Sequence, residues 1–214
     1  MRQLIEFLSR DYPFLHRYLG DIEFGKLVQT CCMALASRPN IRWHSNNLPD
    51  LIATGGVWKS RPELSEIAQL ERALRQAFDA PDLPTLTSND PLALEPEAYP
   101  QLGFKLHPSV ATLIFRTNAS SIWSALKCQE EPPEPFHLSE PQAILVWRQG
   151  SNARFRALGN EEAVAMQGLA QGLSFVRLCK LIAPVAPDEA VACAKAYLRG
   201  WIEAEALLPA VALP

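Results

Sequence analysis

Hydrophobic positions in the first half of the chain recur at helical spacing. Phe24, Leu27, Val28, Cys31, Cys32 and Leu35 fall three or four residues apart behind Asp21, which predicts a helix from Ile22 to about Ala36 with Asp21 as its cap. The clearest amphipathic run follows Arg61-Pro62-Glu63, where proline occupies a helix-start position. Its apolar face is Leu64, Ile67, Leu70, Leu74 and Phe78, and Glu71 is expected to pair with Arg75 on the solvent side. Asn46-Asn47 reads as a cap ahead of Leu48 to Ala53. Leu102 to Leu106 and Val110 to Phe115 read as extended, divided by His107-Pro108-Ser109, and Ser121 to Leu126 reads as a short helix.

After residue 141 the period changes. Gln142 to Arg148 is a continuous apolar run of strand length, the pattern of a strand covered on both faces. Gly150-Ser151-Asn152 supplies a tight turn, and Ala153 to Leu158 alternates, with Arg154 and Arg156 on one side and Phe155 on the other. Gly159-Asn160-Glu161-Glu162 opens a helix to about Gln171, ended by Gly172; Ser174 caps a short helix through Ala183, and Pro187-Asp188 starts a last one through about Leu208. A hairpin with three helices, two of them tightly joined, is the composition of a winged-helix or helix-turn-helix module.

Two proline-rich stretches punctuate these patterns. Pro81 to Pro100 holds five prolines and reads mostly as loop. Lys127 to Pro141, with four prolines, four glutamates and one lysine, reads as a stiff solvated linker. The expected fold is therefore α+β and mainly helical. A helical domain over 1–126, with a short extended pair near 101–116, leads through a linker at 127–141 to a winged-helix-like recognition domain at 142–214.

Composition narrows the function classes. At 48% hydrophobic and 20% charged residues, the 214-residue chain can bury a core. A net charge of −3 argues against a general polyanion binder, and from Gln142 onward seven basic residues meet six acidic ones. The Ser174–Ala183 helix sits in the slot of a recognition helix, yet it offers phosphate only Arg177 and Lys180. Nucleic acid is not the expected partner, and a DNA-binding transcription regulator is the alternative reading. Five cysteines without CxxC spacing suggest buried thiols and neither disulfides nor zinc. The charged N-terminus is no signal peptide and no long apolar run occurs, so no membrane span and a cytoplasmic location are expected. His16, His44, His107 and His137 are scattered, without acidic neighbours at relay spacing, and no nucleophile or phosphate-loop motif occurs. The chain is expected to carry no cofactor and to be no enzyme by itself.

Binding residues remain. Trp43 and Trp58 lie in polar, loop-like surroundings and, with the His107-Pro108 turn, are candidates for a partner interface. On the hairpin, Val146, Arg148, Arg154, Phe155 and Arg156 are candidates for receiving an extended peptide as an added strand.

Four segments resemble the HvfC/BufC-type family, which includes the precursor-binding subunits of methanobactin biosynthesis. They are Tyr12 to Asp21 (YPFLHRYLGD), Pro62 to Leu74 (PELSEIAQLERAL), Leu106 to Val110 leading to Ser121-Ile122-Trp123, and Val146 to Gly150 with Arg154 to Leu158. Together they run from Tyr12 to about Leu173; each is modest alone, and their order and spacing carry the likeness. Longer family members place a helix with a tyrosine-arginine-asparagine-asparagine element before the first segment. This sequence starts close to that segment, as in the methanobactin branch. The resemblance implies a non-catalytic subunit partnered by a TIM-barrel multinuclear-iron oxygenase (MbnB-like). The pair would convert cysteines of a short ribosomal precursor peptide (MbnA-like) into an oxazolone with an adjacent thioamide, building a copper-binding peptide. The iron would belong to the partner, and the C-terminal module of this chain would hold the precursor's leader. A structural adaptor for a different oxidase is a further alternative.

Overall fold

Helices form along the first half where the apolar spacing runs, and one of them accommodates Pro49 within its length. The computed structural model describes residues 1–33, 41–90, 99, 102–184, 189–209 and 211–212, with the side chains of 31–33, 41–43 and 211–212 left aside. Helix α1 spans Arg2–Asp11 and α2 spans Pro13–Met33, the latter broken at Gly20, whose φ of 74° favours glycine. Helix α3 (Ile41–Thr54) leads through a 3₁₀ turn (Gly56–Ser60) into α4 (Pro62–Phe78), which starts at the expected proline. Asn46-Asn47 lies inside α3 and does not cap it. The expected helix end at Leu35 and Ala36, and the start at Pro187-Asp188, lie outside the described residues.

The chain forms two compact units, each assembled from two stretches: Met1–Ala73 with Ile114–Pro141, and Leu74–Leu113 with Gln142–Pro214. This differs from a single cut at 127–141. Residues 130–136 are coil and mostly exposed, as the prolines require. However, Asn118 pins them by donating to the Glu134 carbonyl (2.9 Å) and accepting from the Phe136 N–H (2.9 Å), and residues 137–141 open a strand.

In the first unit α1, α2 and α3 pack together and α5 (Ala119–Lys127) packs on α2, where Phe14 meets Trp123 edge-on at 4.8 Å. Leu8, Leu15, Phe24, Leu27, Ile52 and Ile67 are fully buried. Helix α4 is covered nearly all round between Glu63 and Ala73, so its glutamates go inward and must find donors. Glu71 was expected at the surface. It is instead 6% exposed and accepts the N–H groups of Phe14 (2.8 Å) and Leu15 (3.0 Å), placing an anion at the first turn of α2. Glu66 accepts from the Arg116 N–H (2.7 Å) and from the N–H and hydroxyl of Thr117, while Glu63 pairs with Arg61.

The second unit contains α6 (Asn160–Ala170), α7 (Phe175–Ile182) and α8 (Ala190–Glu203), with α6 on α7 and α7 on α8. Gly172, at φ 78°, ends α6 as expected, and the Leu173 N–H returns to the Gly168 carbonyl at 3.0 Å. Helix α8 stops at Glu203, short of the expected Leu208. Leu208 precedes a proline, which disfavours helical backbone, and residues 206–208 turn back into an extended pairing: the His107 N–H donates to the Ala206 carbonyl and the Leu208 N–H to that of Lys105, both at 2.9 Å. Strand β1 (Leu102–Gly103) pairs with β5 (Val211–Ala212), antiparallel.

A three-stranded antiparallel sheet has the order β2 (Ala111–Thr117), β3 (His137–Gln149), β4 (Asn152–Ala157). The molecule is α+β and mainly helical. Among the described residues no helix is long and apolar enough to cross a membrane.

Candidate peptide-binding hairpin

The β3–β4 hairpin is fixed by its turn and by what its first strand buries. Gln149 pairs with Asn152, leaving a two-residue loop in which Gly150 takes φ 56°, a backbone state that glycine adopts without strain. The tip is held by two further bonds. Gly150 N–H donates to the Glu205 carboxylate at 3.0 Å, and the Gln149 amide donates to the Glu203 carbonyl at 2.9 Å. Ala143 through Trp147 are all buried, so the unbroken apolar run of β3 is covered on both faces as its composition predicts.

The five peptide-binding candidates divide into different roles. Val146 is fully buried, opposite Phe155, and belongs to the core. Arg148 is a latch: its guanidinium donates to the carbonyls of Phe78 (3.0 Å), Ala80 (2.8 Å) and Pro81 (3.3 Å) and to the Asp82 carboxylate (2.7 Å). Its donors are already used on the loop after α4. Arg156 forms a bidentate pair with Glu162, whose carboxylate also accepts the Trp201 indole N–H at 2.9 Å. Those hydrogen bonds hold the Arg156 guanidinium above its ordinary pKa against the opposing effect of burial. The alternation of β4 therefore stands, but one of its two arginines is spent within the protein. Arg154 is exposed, opposite Trp147, and forms no ion pair among the described residues; Phe155 is half-buried beside it. Strand β4 has β3 on one side and, among the described residues, no strand on the other. An exposed edge carrying one uncommitted arginine and one half-covered phenylalanine can add a strand of complementary charge.

The partner-interface candidates are mostly inside. Trp58 is 6% exposed and His107 is 3% exposed, whereas Pro108 is exposed; the Trp43 side chain lies outside the described residues. His107 Nδ1 accepts from the Ser109 N–H (3.1 Å) and meets its hydroxyl (2.8 Å), and burial pushes the imidazole pKa down, helped by Arg148 and opposed by Asp82. Its role is to shape the turn before β2. His16, expected to lack an acidic neighbour, meets Asp21 at 2.8 Å across the Gly20 break.

Sequence reasoning missed Glu162 and the Asp82 loop. Nothing in a linear pattern marks Glu162 as the shared acceptor of a strand arginine six positions earlier and a helix tryptophan 39 positions later. Cys128 is exposed, and Cys179 and Cys193 are half-buried and free, with burial raising the Cys179 thiol pKa. Among the described residues no group of three or more metal-ligating side chains converges. The chain matches no family model, and it matches no curated protein.

Proposed function

We propose that this chain is the non-catalytic, peptide-binding subunit of an oxygenase complex, and that β4 receives the leader of a ribosomally made precursor as an added strand. The observation that carries the reading is the open edge of β4 with Arg154 exposed and uncommitted upon it. The hairpin followed by α6, α7 and α8 has the content of a winged-helix-like recognition module. The ordered resemblance to the methanobactin branch of the HvfC/BufC-type family supplies the chemistry. On that reading the partner is an MbnB-like multinuclear-iron oxygenase holding all the iron, and the substrate is an MbnA-like peptide whose cysteines become oxazolone and thioamide groups.

Arg156 is bound to Glu162, so the discriminating change is Arg154→Glu alone. Calorimetry with a synthetic acidic leader should show at least tenfold weaker binding, about 1.4 kcal/mol, while the fold is kept. Unchanged affinity in the folded variant would refute this edge as the recognition surface. Co-purification with the oxygenase and its iron should survive the change.

A second reading, DNA binding, is favoured by α7, where Val176, Arg177, Lys180 and Leu181 are exposed. Two cations on that helix are few for phosphate contact, which normally needs several.

A further inference from the structure

The unit built of Met1–Ala73 with Ile114–Pro141 carries a cleft of about 250 Å³ that the leader reading does not use. Its apolar wall is Trp58, Pro62 and Ile114, the last 54% exposed on β2. Four charged residues also line it. Glu66 accepts from the Arg116 N–H on one carboxylate oxygen and from the N–H and hydroxyl of Thr117 on the other, so both oxygens are turned to the chain's own donors. Arg61 is taken by Glu63 at 2.9 Å and lies over the Tyr18 ring at 5.8 Å. Lys59 and the Arg116 guanidinium are exposed, and neither meets a carboxylate among the described residues. Trp58 contributes ring surface to the wall and is itself 6% exposed. The cleft thus offers two uncommitted cations beside an open aliphatic surface, and its one carboxylate is held by the chain's own N–H and hydroxyl donors.

We propose that this cleft holds an acidic segment of a polypeptide partner, with one carboxylate side chain paired to Lys59 and Arg116 and a neighbouring aliphatic residue laid on Ile114. Charge complementarity fixes the sign of the occupant. The exposed isoleucine fixes its mixed character, because a phosphate chain gains nothing from that surface and normally draws on more than two cations. The volume suits one or two side chains, so the contact is a local anchor within a larger association. The residues belong to the other unit from the hairpin, and the inference stands whatever β4 binds.

The test uses the full chain and two probes: an acetylated, amidated Leu-Glu-Leu-Glu-Leu peptide and its Leu-Gln-Leu-Gln-Leu counterpart. Amide shift mapping should move Trp58, Lys59 and Arg116 with the glutamate peptide, and the glutamine peptide should bind at least about fivefold more weakly. Lys59→Gln with Arg116→Gln removes two exposed charges, leaves the core intact by circular dichroism, and should weaken the glutamate peptide by a similar factor. The proposal is overturned by absence of shifts at these residues, by equal affinity for the two peptides, or by unchanged affinity in the double variant. Displacement of the peptide by an equal concentration of inorganic phosphate would mark a general anion site and overturn it as well.

Discussion

Removing Arg156 should destabilise the second unit, because its partner is less exposed than it is. The Arg156 side chain is 41% exposed, but the Glu162 side chain is only 11% exposed. In Arg156→Ala the carboxylate would keep the Trp201 N–H at 2.9 Å and lose both arginine bonds. Stranding one partner of a fully buried pair costs about 3–5 kcal/mol, and exposed pairs contribute about 0–1 kcal/mol. The intermediate burial of this pair puts the loss at about 2 kcal/mol. For a chain of this size that corresponds to a fall in Tm of about 4–8 °C. Native-state hydrogen exchange of the α6 and α8 amides isolates this unit from the other. Completing a cycle with Glu162→Gln should give a coupling energy of about 1–2 kcal/mol. Arg154→Ala, one rung away but solvated, should stay within about 0.5 kcal/mol of wild type. Coupling below about 0.5 kcal/mol would show that the pair is no more than a surface contact and refute the reasoning.

Glu71→Gln leaves the Phe14 and Leu15 N–H groups a weaker acceptor and should lower stability by about 1 kcal/mol in urea unfolding. His107 has a depressed pKa in the folded state, so its stabilising effect is complete above the ordinary histidine range near 6.5 and is lost as pH falls below it. Between pH 8 and 5, wild type should therefore lose more Tm than His107→Gln, and parallel curves would rule this out. Duplex DNA should bind no tighter than the non-specific range of about 10⁻⁴–10⁻⁶ M at physiological salt, and a sequence-specific nanomolar shift would reverse the preference between the two readings.

What the sequence made legible was periodicity, and what it hid was the fate of charge. The Pro62 start of α4, the Gly150 turn, the double burial of β3 and the Gly172 stop each follow from local backbone or spacing rules, and each is present. The surface assignment of Glu71 failed because a helical wheel gives a central helix only one buried face, and α4 is enclosed nearly all round. Arg148, Arg154 and Arg156 are indistinguishable as letters. Long-range partners separate them into a latch on a loop about 70 residues away, a free surface cation, and half of a shared pair. The return of residues 206–208 toward 105–107 was equally invisible, since the last stretch carries a helix-like composition and its strand partner lies about a hundred residues upstream.

That return sets an order on synthesis. The unit of Met1–Ala73 with Ile114–Pro141 has all its residues once position 141 is made. Residues 74–113 must wait: Leu86 and His107 find their backbone acceptors only on Leu207 and Ala206. Until then Leu102 and Phe104, which are core residues of the finished unit, have no completed core to enter. The nascent chain therefore holds an apolar stretch open between two finished edges for the time taken to translate some seventy residues, seconds at ordinary elongation rates of about 5–20 residues per second. Slow codons or a holding chaperone would act on that interval, with little effect on the unit already closed.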